Sequence, residues 1–82
     1  WIRGEEVDLT PIEYNLLAYM ARHGRQIITY EQLQESVWEG PEKGSRQGLF
    51  VHVRRLREKI ESDPEEPKII RNKWGVGYVF TP

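Results

Sequence analysis

The stretch LFVHVRRLREK, residues 49–59, combines apolar side chains at helical spacing with a dense set of arginines. On a helical wheel at 100° per residue, the apolar side chains of one stripe lie within about 60° of one another: Leu49, Val53, Leu56 and Ile60. The basic side chains occupy the rest of the helix surface. The pattern predicts a helix over residues 46–62 that buries one stripe and carries positive charge toward solvent.

The charge of the chain is concentrated in this segment. The 82 residues have a net charge of −1, yet residues 43–59 hold six cations and one acid. Residues 1–42 hold three cations against eight acids, and residues 60–82 hold three against four. Phosphate groups sense charge within a Debye length of about 8–10 Å, so this local patch indicates a polyanionic partner despite the acidic total.

Length and composition narrow the class of protein. Eighty-two residues form one domain, and the absence of cysteine excludes disulfides and thiolate metal sites. No apolar run approaches the ~20 residues of a membrane span, and no signal peptide is recognisable. The chain begins with Trp1 and not with Met, so we expect it to be a piece of a longer protein.

The first predicted helix covers residues 10–24. Thr10 and Glu13 have the spacing of a capping box, and Pro11 occupies the first helical position, where its missing N–H costs nothing. Gly24 is placed to end the helix in a left-handed conformation.

A second predicted helix covers residues 29–39. Thr29 and Gln32 repeat the capping box, and residues 27–28 just before it favour a short strand. The polar segment 39–45, which contains glycine and proline, predicts a loop before the third helix.

The two ends of the chain have β-like patterns. Residues 68–82 predict a hairpin in which Gly75 and Gly77 supply positive φ, and residues 1–9 predict the remnant of an antiparallel sheet. The acids of residues 61–66 are expected in a solvated turn. The predicted fold class is mainly α with a small β part: a winged helix-turn-helix with three helices, a C-terminal hairpin wing and a sheet remnant.

In such an arrangement the third helix is the candidate for the DNA major groove. The candidate contacts on this helix are Gln47, Val51, His52, Arg54, Arg55 and Arg57. The candidate contacts on the wing are Arg71, Asn72, Lys73 and Trp74. The alternative reading of the helix is a solvated face with an i,i+4 pair between Arg54 and Glu58.

Catalysis is not indicated by any motif. The sequence holds no metalloprotease His-Glu-x-x-His, no recognisable catalytic triad, no metal-ligand spacing and no cofactor motif. The glycine pair of the hairpin is followed by a strand and not by the helix that a phosphate-binding loop requires. We therefore expect neither an enzyme nor a bound cofactor.

Three blocks of the sequence resemble one family. LTPIEYNLL (9–17), VHVRRLREKI (51–60) and RNKWGVGYVF (71–80) are similar to the C-terminal effector domain of OmpR/PhoB-type response regulators. The resemblance implies sequence-specific binding to bacterial promoter DNA, often as a tandem dimer. It also implies a cytoplasmic two-component regulator with an upstream receiver domain phosphorylated by a histidine kinase. The family's usual contact with RNA polymerase falls here on the loop residues Glu39, Gly40, Pro41, Glu42 and Lys43.

Two positions depart from the family pattern. Phe50 stands where an Asp or Asn is usual, and Trp74 stands where many members carry a minor-groove arginine, so that Arg71 or Lys73 is left to supply charge. These departures keep a second hypothesis open, a winged-helix module that binds an acidic protein and not DNA. The same domain also occurs in one-component or membrane-anchored regulators.

Overall fold

The computed structural model describes residues 8–38 and 44–81. Three helices and three strands follow in the order α1, β1, α2, α3, β2, β3. The helices are α1 (Pro11–Arg22), α2 (Tyr30–Val37) and α3 (Arg46–Ile60), and the strands are β1 (Ile27–Thr29), β2 (Ile70–Lys73) and β3 (Gly77–Phe80). This is the predicted order of elements. The sheet remnant expected in residues 1–9 lies almost wholly outside the described residues.

Side-chain caps start each helix. The Thr10 hydroxyl accepts from the Glu13 N–H at 3.2 Å, and the Glu13 carboxylate accepts from the Thr10 N–H at 3.0 Å. Thr29 and Gln32 form the same reciprocal pair at 3.1 and 2.8 Å, so both predicted capping boxes are confirmed. Ser45 caps α3 by accepting from the Gly48 N–H at 2.9 Å. Each such cap contributes about 1 kcal/mol to helix stability.

The end of α1 differs from the prediction. The helix ends at Arg22, and the left-handed residue is Arg25, with φ of 66°, and not Gly24. The Arg25 N–H donates to the carbonyl of Phe80 at 2.9 Å. This tertiary hydrogen bond to β3 favours reversal of the chain at Arg25, a constraint that the local sequence does not reveal.

The three strands form an antiparallel sheet with β3 in the middle, in the order β1-β3-β2. Of the two hairpin glycines, Gly75 alone has the predicted positive φ, at 78°. Gly77 is needed for a different reason, because a Cβ there would overlap the carbonyl oxygen of Ile28 on β1. Close approach of two backbones, and not a left-handed conformation, requires glycine at that position.

The core lies between the helices and one face of the sheet. Its buried apolar side chains are Leu16, Met20, Ile28, Leu33, Val37, Leu49, Val53, Leu56, Ile60, Ile70, Tyr78 and Phe80. All four residues of the α3 stripe belong to it, as the helical wheel predicted. Because that stripe faces the core, the opposite side of α3 faces solvent.

Glu61, directly after α3, is buried. The prediction that it belongs to a solvated turn is therefore wrong. Its carboxylate accepts from the backbone N–H groups of Lys68, Ile69 and Ile70 at 2.8–3.0 Å. The negative charge is thus satisfied by backbone donors, which is how a buried carboxylate becomes tolerable. Glu61 therefore fixes the backbone that leads from α3 into the hairpin.

A second buried carboxylate joins α1 to α3. Glu13 accepts from the Lys59 ammonium at 2.5 Å. Burial raises the pKa of Glu13, but the hydrogen bond from Lys59, the backbone bond from Thr10 and the Lys59 charge outweigh it and leave the pKa below its ordinary value of 4.5. The ionised pair therefore stabilises the packing of these two helices.

Glu61→Ala is expected to lower the free energy of unfolding by about 2–4 kcal/mol, because backbone donors lose their acceptor in a buried setting. Urea denaturation followed by circular dichroism measures this loss. The matched control is Glu65→Ala at an exposed position, with an expected change within about 0.5 kcal/mol. Equal, small losses in both variants would show that the Glu61 hydrogen bonds do not hold the turn.

Lys59→Met is expected to destabilise the fold more at neutral pH than at pH 3. Since the pKa of Glu13 is lower in the folded chain, its stabilising contribution is present above pH 4.5 and is lost as the pH falls through the folded pKa. Thermal unfolding of the wild type, Lys59→Met and the control Lys68→Met across pH 3–7 measures the difference. A Lys59→Met penalty that does not change with pH argues against this pair.

Candidate nucleic-acid interface

The side of α3 opposite the apolar stripe forms an exposed outer face. It consists of Gln47, Val51, Arg54, Arg55 and Glu58, all of which are solvent-exposed. Two arginines, an amide and a small apolar side chain on one helix face can take part in phosphate contacts, base hydrogen bonds and methyl contacts. The structure leaves these predicted DNA contacts of the helix accessible, and their contact with DNA stays a prediction.

Arg54 is restrained only weakly. Its Nε lies 3.6 Å from the Glu58 carboxylate, and its side chain is 83% exposed. An exposed i,i+4 pair of this kind contributes about 0.3–0.5 kcal/mol. The predicted pair therefore exists, but a phosphate group can replace Glu58 as the partner of Arg54 at little cost.

Arg57 is placed differently from the other arginines of the helix. Its Nε and Nη2 donate to the carbonyl of Ile70 at 3.2 and 2.7 Å, and Nη2 also donates to the Asn72 side-chain oxygen at 3.1 Å. Its guanidinium lies 5.3 Å from the ring centre of Tyr78. Two predicted DNA contacts, Arg57 and Asn72, are thus engaged with each other inside the chain.

The setting of this guanidinium is partly desolvated. Burial lowers the pKa of Arg57, against the opposing effects of Tyr78 and Glu61, and the group stays protonated at any physiological pH. Burial also disfavours the charged form of Tyr78 and raises the pKa of its phenol to about 12, although the Arg57 charge acts in the opposite direction. The pair is therefore a cation beside a neutral phenol.

His52 is half-buried on the flank of α3. Its ring packs edge-on against Trp38 at 5.7 Å between centroids, and its buried Nδ1 has no hydrogen-bond partner within the described residues. Trp38 in turn covers Gly44, where a Cβ would overlap the indole ring. The carbonyl of Gly44 accepts from Gln34 at 2.9 Å, so the start of α3 is anchored to α2. The polymerase-contact candidates, residues 39–43, lie outside the described residues.

Phe50 packs at the junction of the helices and the sheet. Its ring meets Tyr30 edge-on at 5.3 Å, and Tyr30 meets Tyr78 at 5.6 Å, while 40% of Phe50 stays exposed. The departure from the family pattern at this position therefore adds packing. Arg46 was not among the predicted contacts of α3. Its guanidinium lies 5.1 Å from the centre of the Tyr30 ring, and its position at the start of the basic segment could have pointed to it.

The hairpin presents its tip to solvent. Lys73 and Trp74 are exposed, and Trp74 is 83% accessible. The turn is held by the Val76 N–H, which donates to the Lys73 carbonyl at 2.9 Å, and by the Tyr30 N–H, which donates to the Val76 carbonyl at 3.1 Å. Arg71 is also exposed, with its Nε donating to the Lys68 carbonyl at 3.2 Å. The tip is thus fixed to the start of α2 while its side chains remain accessible.

A groove runs between α3 and the hairpin. Arg54 from α3 and Trp74 from the hairpin both line it, together with Glu58 and the turn residues Pro64 and Pro67. The outer face of α3 and the hairpin tip therefore border the same surface region. Within residues 8–38 and 44–81 there is no cluster of His, Asp or Glu able to hold a metal ion, and no helix there is long and apolar enough to cross a membrane.

Three helices followed by an antiparallel hairpin, with the basic helix and the hairpin tip on one groove, define a winged helix-turn-helix domain. Solved structures share this fold. The response regulator DrrB of Thermotoga maritima, an OmpR/PhoB homologue, superposes with a TM-score of 0.89 at 34% identity over 100% of this chain and 37% of that one. The RstA DNA-binding domain of Klebsiella pneumoniae, in complex with the RstA box, gives 0.82 at 29% identity over 96% and 78%.

Residues 4–80 match the family described as "Transcriptional regulatory protein, C terminal". Curated relatives include the regulatory protein VanRc of Enterococcus gallinarum, 41% identical over 94% of this chain and 33% of that protein. The DNA-binding response regulator MtrA of Mycolicibacterium smegmatis is 42% identical over 98% and 35%. The chain belongs to this family, the OmpR/PhoB-type DNA-binding domains of bacterial transcriptional regulators, and it is not an enzyme. It spans about a third of the length of these curated relatives.

Glu58→Gln is expected to strengthen binding to duplex DNA about two- to fivefold at low salt, because it removes a negative charge and the partner of Arg54. Fluorescence anisotropy with a labelled duplex measures the change. Asp8→Asn is the matched control, since it changes net charge equally at an exposed position outside α3 and the hairpin. An equal gain in both variants would mean that only net charge matters.

Proposed function

We propose that this chain is the sequence-specific DNA-binding output domain of a two-component transcriptional regulator. The observation that carries the proposal is the outer face of α3. This face is exposed because the opposite stripe is buried, and it carries Arg54 and Arg55. Family membership supports the same activity. DNA binding also explains why a chain of net charge −1 places the exposed Arg54 and Arg55 side by side on α3.

In the proposed complex, α3 enters the major groove, whose width of about 12 Å admits one helix. Arg55 and Arg54 take base edges and phosphates, since a guanidinium can donate two hydrogen bonds to guanine or to a phosphate. Val51 contacts a thymine methyl group. Gln47 and His52 contribute nearer the start of the helix and along its flank.

The hairpin tip reaches the adjacent minor groove or its backbone. Trp74 supplies a large apolar surface there, while Lys73 and Arg71 supply the charge that an arginine at the tip provides in many relatives. Neutral tryptophan at this position predicts weaker attraction to the narrow, strongly negative minor groove of A·T tracts than an arginine gives.

The larger protein is proposed to hold a receiver domain upstream, phosphorylated by a histidine kinase in the bacterial cytoplasm. The lengths of the curated relatives leave room for such a domain. Binding as a tandem dimer, and contact of residues 39–43 with RNA polymerase, belong to the same proposal. A one-component or membrane-anchored arrangement of the whole protein keeps the DNA-binding role of this domain unchanged.

The competing hypothesis is a module that binds an acidic protein. Phe50 and Trp74 are the residues that favour it. Phe50 packs on Tyr30 and is 40% exposed, whereas Trp74 is 83% exposed, so Trp74 is the stronger support. The two functions differ in salt dependence. DNA binding releases condensed counterions, with a slope of about −0.9 per phosphate contact in log K against log salt, and a protein partner releases fewer.

Arg55→Ala is expected to weaken specific binding about 10- to 100-fold and to abolish the preference for an enriched half-site over random duplex. Enrichment from a random-sequence pool supplies the site, and anisotropy across a salt series supplies the slope. Arg22→Ala in α1 is the matched control and is expected to leave both values unchanged. A flat salt response, or no duplex binding at low salt, would favour the protein-binding module.

A further inference from the structure

The link between α3 and the hairpin is built from a side chain in the last turn of α3, the side chain that directly follows the helix, and the backbone of β2. Among residues 8–38 and 44–81, β2 is an edge strand of the sheet, so within this part of the chain the backbone groups on its outer side pair with no other strand. The N–H of Ile70 donates to Glu61, and the carbonyl of Ile70 accepts from Arg57. Two side chains four positions apart therefore hold both backbone polar groups of one residue of β2.

Arg57 extends this link toward the hairpin tip. Besides Ile70, it donates to the side-chain oxygen of Asn72 at 3.1 Å and lies over the Tyr78 ring. Asn72 and Tyr78 are directly paired across β2 and β3. The guanidinium thus contacts β2 at two and four residues before the turn residue Trp74 and β3 at four residues after it.

The hydrogen bonding of Arg57 makes it an unfavourable DNA contact. Two of its three nitrogens already donate inside the chain, and the group is half-buried, whereas Arg54 keeps a side chain that is 83% exposed. Turning Arg57 toward a phosphate would leave the Ile70 carbonyl and Asn72 without their partner. Such loss of a charged hydrogen bond in a partly buried site is costly.

We propose that Arg57 is a positioning residue for DNA recognition, which holds the hairpin at a fixed orientation to α3 so that both elements engage DNA together. The proposal rests on the proposed function and deepens it. Arg57 contributes no phosphate contact of its own. Its effect on affinity is exerted through Trp74 and the rest of the hairpin tip.

The test compares salt slopes and a double-mutant cycle in the 82-residue chain. Arg57→Gln is expected to weaken binding about 5- to 20-fold while leaving the salt slope within about 0.3 of the wild type. Trp74→Ala, costly in the wild type, is expected to cost less than half as much in the Arg57→Gln background. Arg54→Gln is the matched control, with a slope smaller by about 0.9 and an unchanged cost of Trp74→Ala.

Arg57→Lys separates positioning from charge. It also replaces Arg57→Gln in the test if circular dichroism shows that the glutamine variant does not fold. Lysine keeps the charge but loses the planar fork, so it is expected to bind as weakly as the glutamine variant. Three results would overturn the positioning role but leave the proposed function intact. They are wild-type affinity in Arg57→Lys, a salt slope reduced by about 0.9 in Arg57→Gln, and additive losses of affinity when Arg57→Gln is combined with Trp74→Ala. Unchanged affinity in a folded Arg57→Gln variant would also overturn it. Absence of duplex binding by the wild type overturns the proposed function and this inference together.

Discussion

Burial of the apolar stripe of α3 is the constraint on which the rest of the structure depends. Leu49, Val53, Leu56 and Ile60 are all inside the core, so the rotation of α3 about its own axis is fixed. Because one stripe of the helix faces the core, the side chains on the opposite side of the helix must face solvent. Arg54 and Arg55, which lie outside the stripe, are therefore presented to solvent on one side of the helix. Because each fully buried aliphatic side chain stabilises the fold by about 1.5–3 kcal/mol, the rotation of this helix is one of the most strongly determined features of so small a domain.

The hairpin is oriented by polar contacts that complete its edge strand. The Glu61 carboxylate accepts from the N–H of Ile70, and the Arg57 guanidinium donates to the carbonyl of the same residue. Arg57 lies in the last turn of α3, and Glu61 directly follows the helix. Polar contacts of this kind have strict geometry, unlike apolar packing, and fix direction as well as distance. On the opposite side of the hairpin, the close approach of Gly77 to Ile28 sets the distance to β1. The tip is therefore a fixed extension of the surface that α3 presents.

Local features of the fold were predictable from the sequence, and tertiary ones were not. The capping box at Thr10 and the stripe of α3 depend on residues within a few positions, and both were predicted correctly. The role of Glu61 was missed because its partners lie 7–9 residues away across a turn, where an acidic, proline-containing segment resembles a solvated loop. The placement of Arg57 depends on partners 13 and 15 residues away. The reversal at Arg25 likewise depends on a hydrogen bond that its N–H donates to the Phe80 carbonyl of β3.

Site-directed cleavage of bound DNA tests the central claim, that the outer face of α3 lies in a major groove with the hairpin tip in the adjacent minor groove. The chain has no cysteine, so a single introduced cysteine carries an iron chelate at a known position. We predict that the chelate on Gln47→Cys cleaves both strands around one major groove of an enriched site. The chelate on Lys73→Cys is expected to cleave around the neighbouring minor groove. The chelate on Ala21→Cys in α1 is expected to give little cleavage. Cleavage from Ala21→Cys as strong as that from Gln47→Cys would contradict the account.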